Sequence, residues 1–310
     1  MNRIKFMLNA TALFALLLTC SSLTHAQATR TFVSAVGDDA NPCIRVSPCK
    51  TFAGAMSRTA EGGEIDALDP GGYGAVNITK AITIDGGTGS GWASILASGI
   101  SGVTVSVTTN PTTAVVTLRN LSITGAVCTN GACSGTNAIR YTAGSALHVQ
   151  NCILENFNTT GIDVSLSAAG SLWVQDTNFS NTATGIRTAS TSVVVMQVEH
   201  CRFQGMTDGI NANTNTFATV RDSYFGGITG TTNGAVKASS GCTINVANST
   251  FSNNGLAVRT LAGGTIRISN NEFFNNTTAI NNAGTVATAN NNKQAGNTTL
   301  GTTNGTISSF

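Results

Sequence analysis

Between Leu147 and Ile280 one short arrangement of apolar and polar positions recurs. Its first full copy runs Val149-x-Asn151-Cys152-x-Leu154-x-Asn156, followed by Gly161-Ile162. Val174-x-Asp176-Thr177-x-Phe179-x-Asn181 with Gly185-Ile186 repeats it, and so does Val198-x-His200-Cys201-x-Phe203-x-Gly205 with Gly209-Ile210. Three more copies start at Val220, Val246 and Ile268, and a degenerate one starts at Leu118. Successive starts are 31, 25, 24, 22, 26 and 22 residues apart. A fixed internal pattern with irregular spacing puts the length differences into loops, which is the signature of a solenoid.

The letters of the pattern say which solenoid. Apolar residues alternate with polar ones (Leu147 and Val149, Leu172 and Val174, Ile244 and Val246), which is strand periodicity. The third position holds Asn, Asp or His, the residues that best tolerate the left-handed region, so the strand turns there without reversing. The fourth holds Cys, Thr, Ser or Asn, small side chains expected inside the coil. The Leu or Phe two residues later returns to the interior, and the Gly-Ile pair opens a third strand. Three short strands per rung of roughly 22 residues, stacked at about 4.8 Å, predict a parallel β-helix. A leucine-rich repeat would need Leu at several fixed positions and a helical arm, and the anchors here are Val, Ile and Phe. The glycine-aspartate nonapeptides of calcium-binding β-rolls are absent.

Ahead of the coil, Arg3 and Lys5 precede an apolar run from Ala12 to Leu18, and small residues close the segment at Thr24-His25-Ala26. That is the pattern of an export signal cleaved after Ala26, and its apolar run is too short for a membrane span. Cys20 suggests a lipoprotein site, but the Thr19 before it fits such a site poorly, so soluble export is expected. An exported location, extracellular or periplasmic, follows. Removing residues 1–26 takes away two of the 16 basic residues and none of the 14 acidic ones, leaving 14 of each. A net charge of zero gives no attraction to nucleic acid or to an anionic membrane.

Residues 27–75 predict an N-terminal cap. A strand at Thr31–Ala35 and a turn at Gly37–Pro42 lead to Cys43 and Cys49, which are expected to form a disulfide in an exported chain. Phe52, Ala55 and Met56 have helical spacing and predict a short helix across the open end of the coil. The order Gly37-Asp38, Asn41-Pro42-Cys43, Pro48-Cys49-Lys50-Thr51-Phe52, Ala55-Met56, Pro70-Gly71 and Tyr73 resembles the start of secreted β-helix proteins of the pectin-lyase-like superfamily. In particular it resembles an uncharacterised bacterial group within that superfamily. The fold class is then all-β, a right-handed parallel β-helix with a short helical cap. The hand follows from the resemblance and from the crossover rule for parallel strands. Val76–Gly86 supplies the first rung, the β-helix is expected over 76–295, and 296–310 reads as a weakly ordered tail. An insertion holding Cys128 and Cys133 is expected to be a disulfide-tied loop. Cys152, Cys201 and Cys242 are left over and read as small buried hydrophobes.

Candidate chemistry lies in two outward columns. The position after the Gly-Ile pair gives Asp163, Arg187, Asn211, Lys237, Arg259 and Asn281, a mixed row able to hold acidic sugars through charged hydrogen bonds. The resemblance implies that an Arg or Lys such as Arg187 or Lys237 serves as the base of a lyase, with carboxylates holding calcium near the uronate. Asp163 is the one carboxylate in that column, and no acidic cluster completes a calcium site. The two carboxyls that glycoside hydrolysis needs are also missing. In the other column Trp173 beside His148 could stack on a sugar ring. No zinc spacing, phosphate loop or nucleotide fingerprint is present, so neither metal nor cofactor is expected. Two functions remain open. One is binding of a polysaccharide or cell-surface glycan without catalysis. The other is a polysaccharide lyase or glycoside hydrolase acting on an acidic polysaccharide along one sheet.

Overall fold

The computed structural model describes residues 27–87, 91–126 and 135–308. The segment expected to be an export signal, with Cys20, and the expected disulfide loop of Cys128 and Cys133 lie outside these residues. The chain winds as a right-handed parallel β-helix whose described strands form three parallel sheets of twelve, nine and ten strands. One rung shows the path. Gly170–Gln175 lies in the twelve-stranded sheet, Asn178–Ser180 in the ten-stranded one and Thr184–Thr188 in the nine-stranded one. Val194–Glu199 then returns to the first sheet and pairs in parallel with Gly170–Gln175.

The third-position residues make the turn between the first two of these strands. Asn120, Asn151, Asp176, His200, Asp222, Asn248 and Asn270 all have φ between 48° and 58°. The last letter of the pattern is a turn of the same kind, which the repeat had not revealed. Asn156, Asn181, Gly205, Gly227, Asn253, Asn275 and Gly296 have φ between 48° and 68°. Two left-handed residues per rung let three strands close around a core without any reversal of direction.

Inside, the Phe positions form one file. Phe179, Phe203, Phe225, Phe251 and Phe273 stack with ring centroids 4.6–5.0 Å apart and planes within 8° of parallel. The fourth-position column satisfies the backbone at the turn. The Cys201 N–H donates to Ser223 Oγ (3.2 Å), and that hydroxyl donates to the Arg221 carbonyl (2.8 Å). Farther along, asparagine takes over: the Ser249 N–H donates to Asn271 Oδ1 (2.9 Å), and Asn271 Nδ2 donates to the Val246 carbonyl (2.9 Å). A second ladder of Asn254, Asn276 and Asn297 does the same at the other turn, each Nδ2 donating to a phenylalanine carbonyl. Cys152, Cys201 and Cys242 are buried and unpaired, and burial pushes the Cys152 and Cys201 thiols up to about 12. They are packing groups, as their columns predict.

At the N-terminal end Cys43 and Cys49 are bonded. The helix Phe52–Arg58 is capped by Thr51, whose side chain accepts from the Gly54 N–H, and it buries Phe52, Ala55 and Met56. Phe52 packs on Tyr73 at 5.1 Å. Winding starts earlier than Val76, because Ala28–Val33 heads the twelve-stranded sheet and pairs with Thr59–Ala67. It also runs past residue 295, where Gly305–Thr306 pairs with Thr285–Thr288. In these last turns Thr288 and Gln294 replace the apolar residues of the Val and Phe files, so the interior ends on polar groups.

Candidate functional site

The predicted row exists and is in register on the nine-stranded sheet. Arg140, Asp163, Arg187, Asn211, Lys237, Arg259 and Asn281 are consecutive ladder partners. They share a face because each sits one residue beyond an inward Ile or Val of its strand (Ile139, Ile162, Ile186, Ile210, Val236, Val258, Ile280). Arg140, which the repeat did not supply, belongs to the row through the strand Gly135–Ala143. The degenerate spacing there hid it.

The members differ in availability. Arg140 and Arg187 are exposed and Arg259 is half-buried. Arg187 Nε and Nη2 each lie 2.8 Å from Asp163 Oδ1, and the Ser165 hydroxyl donates to Asp163 Oδ2 at 3.1 Å. Asp163 is therefore occupied by its neighbours. Asn211 is buried, and neither its Oδ1 nor Arg259 Nε has a hydrogen-bond partner. Lys237 is withdrawn from the surface at 7% exposure. Its Nζ donates to Asn213 Oδ1 (3.0 Å) and to Asn233 Oδ1 (3.2 Å). Asn233 Nδ2 in turn donates to Asp208 Oδ2 at 2.7 Å. Burial pushes the Lys237 ammonium below its ordinary range; Asp208 opposes that shift and Arg259 adds to it.

His148 and Trp173 are ladder partners on the twelve-stranded sheet, with rings 5.2 Å apart in a T-shaped contact. Burial lowers the His148 pKa, and Trp173 Nε1 is buried without a partner. Both are half-buried. They sit on a different sheet from the Asp163–Arg259 row, so the structure does not bring the two groups into one site.

One constellation escaped the sequence. Ligand atoms of Glu64, Asp66 and Asp85 lie within 4.8 Å of one another, the one such metal-sized group among the described residues. It stands on the twelve-stranded sheet, away from the basic row. Two guanidiniums occupy it. Arg30 Nε is 2.5 Å from Asp66, and Arg119 reaches Glu64 (2.5 Å) and Asp85 (2.7 Å). Asn120 Nδ2 and the Gly87 N–H also donate to Asp85 Oδ1. Oxygens already held by arginine do not supply the six to eight free donors of a calcium site. Nor does the row, whose neighbouring carboxylates Asp163 and Asp208 are both engaged.

No known family and no curated protein matches this sequence. Among solved structures the chain resembles pectate lyase Pel9A, with a TM-score of 0.57 at 11% identity over 90% of this chain and 78% of that one. It also resembles XylC, solved in complex with xylose, with a TM-score of 0.55 at 8% identity over 84% of this chain and 65% of that one. The shared fold is the right-handed parallel β-helix. At such identities the likeness concerns the winding of the backbone, and site chemistry has to come from the residues themselves.

Proposed function

We propose that this protein is exported and binds an acidic polysaccharide along the outer face of the nine-stranded sheet. The observation that carries this is the in-register row of Arg140, Arg187 and Arg259, with one outward carboxylate, Asp163, among them. Guanidinium groups match carboxylates in planar, two-pronged hydrogen bonds, which suits uronate sugars better than neutral ones. A disulfide at the N-terminal end supports an oxidising compartment. The neighbouring folds described as a pectate lyase and as a xylose complex agree with a saccharide partner.

Binding without cleavage is favoured because the groups needed for cleavage are engaged elsewhere. Hydrolysis requires two carboxyls across the scissile bond, and Asp163 and Asp208 are held by Arg187 and Asn233. The lowered Lys237 favours a second reading, in which its amine removes the proton beside a uronate carboxyl.

Calorimetric titration with polygalacturonate and with neutral xylan separates these. Polygalacturonate is expected to bind and xylan to be ignored. Replacing Arg140 and Arg259 together by Ala removes two charge-assisted contacts of about 1.5–3 kcal/mol each, so affinity falls at least about a hundredfold. Equal affinity for xylan, or an unchanged double variant, would sink the binding proposal. Unsaturated products that vanish in Lys237→Ala would establish the lyase reading.

A further inference from the structure

We propose that Lys237 and Asn233 join in an intramolecular isopeptide bond, formed by the protein itself with loss of ammonia. The three groups such a step needs lie together where the loop 227–234, which carries Asn233, meets the strands Asp208–Ala212 and Val236–Ala238. Lys237 Nζ sits 3.2 Å from Asn233 Oδ1, beside the carbonyl it attacks. Asp208 Oδ2 sits 2.7 Å from Asn233 Nδ2, the nitrogen that leaves. Lys237 and Asp208 are each 7% exposed, which shields the amine and the acid from water, and Asn233 between them is half-buried.

The loop holds this arrangement in place. The Gly230 N–H donates to the Thr207 carbonyl (2.8 Å), and the Gly209 N–H donates to the Gly234 carbonyl (3.1 Å). A Cβ on Gly230 would meet Asp208 Oδ1 at 2.6 Å, and one on Gly234 would meet the Leu256 carbonyl oxygen at 2.6 Å. Gly234 also has φ +81°, a conformation that favours glycine. Both glycines let the loop close onto the strand, and that closure brings the Asn233 amide between Asp208 and Lys237. Pre-set contact of this kind removes most of the entropic barrier to a reaction between neighbouring groups.

The step balances without an added reactant. The Asn233 amide relays a proton from the Lys237 ammonium to Asp208: Oδ1 takes one from Nζ as Nδ2 gives one to Asp208. The neutral amine then forms a bond to Asn233 Cγ, and Oδ1 returns its proton to Nδ2 as the carbonyl re-forms. The bond from Cγ to Nδ2 then breaks with its electron pair on nitrogen. Asp208 delivers the proton to Nδ2, and the departing ammonia takes the second proton of the attacking nitrogen and leaves as ammonium. One charge enters on lysine and one leaves on ammonium. Burial that disfavours the ammonium assists the first transfer.

The mature chain is read by mass spectrometry after denaturation and by tryptic mapping. The expected result is a mass lower by one ammonia, no cleavage after Lys237, and a tryptic fragment 222–259 closed into a ring between 233 and 237 that resists hydroxylamine. Asp208→Ala and Asn233→Ala restore the full mass and the cleavage, whereas Asn213→Ala keeps the bond. Full mass with normal cleavage after Lys237 overturns the proposal. So does an ammonia loss at Asn233 that makes the chain cleavable by hydroxylamine between 233 and 234, which marks a succinimide with Gly234, and so does a bond to Asn213. The wild-type measurement stands even where a variant fails to fold. It is independent of the polysaccharide proposal, since the row binds through its arginines. A cross-linked Lys237 would also end its candidacy as a lyase base.

Discussion

Each rung depends on a few polar side chains that do not face solvent. Asn271 satisfies two backbone groups of the preceding rung, the Ser249 N–H and the Val246 carbonyl. Asn271→Ala strands both in the interior, at about 1–3 kcal/mol per unsatisfied group, so the melting temperature should fall by several degrees in calorimetry. The neighbouring Asn270 has φ 52°, and Asn270→Gly should change the same measurement little, because glycine adopts that conformation freely. An equal effect at both positions would show that the ladder is not what holds the turn. The third-position turns were legible because Asn, Asp and His recur there against varied neighbours. The eighth-position turns were not, since Asn and Gly are common throughout this chain and carry no contrast there.

At the scale of the element, the file of rings shows how a repeat becomes a core. Five phenylalanines recur every 22 to 26 residues and lie 4.6–5.0 Å apart, the spacing of hydrogen-bonded strands. Phe225 has a ring on each side. Phe225→Ala is expected to cost about 3–5 kcal/mol in urea unfolding, more than the same change at Phe273, where a ring covers one face and Gln294 follows. Similar losses at both would mean that the stack is not a continuous packing unit. The strands and their partners could be read from sequence wherever the repeat is regular. The acidic clamp could not, because Arg30, Glu64, Asp66, Asp85 and Arg119 come from a stretch where the pattern is degenerate, and only the register of Thr59–Ala67, Ile82–Asp85 and Val115–Arg119 brings them together. The nest around Lys237 was hidden for another reason. Asn233 lies in a loop, and periodicity says nothing about where a loop folds back.

Across the whole molecule the sheets are continuous ladders, so their outward rows inherit the regularity of the strands. From Arg140 to Arg259 the row crosses five ladder steps, a span of about 24 Å at about 4.8 Å per step. Affinity for oligogalacturonates is therefore expected to rise with chain length until the ligand covers that span and then to level off, as measured by calorimetry on a length series. A dimer that binds as well as the longest chain would point to a single local contact.

The stiffness of that ladder has a further effect. Strands pinned by backbone bonds on both edges cannot slide to suit a guest, so the charges act as the marks of a ruler. A polyanion whose repeat falls in phase with the marks gains every contact in turn, and one out of phase gains the first and strains for the rest. Selectivity would then reside in the pitch of the winding and would survive many exchanges among the residues that carry the charge.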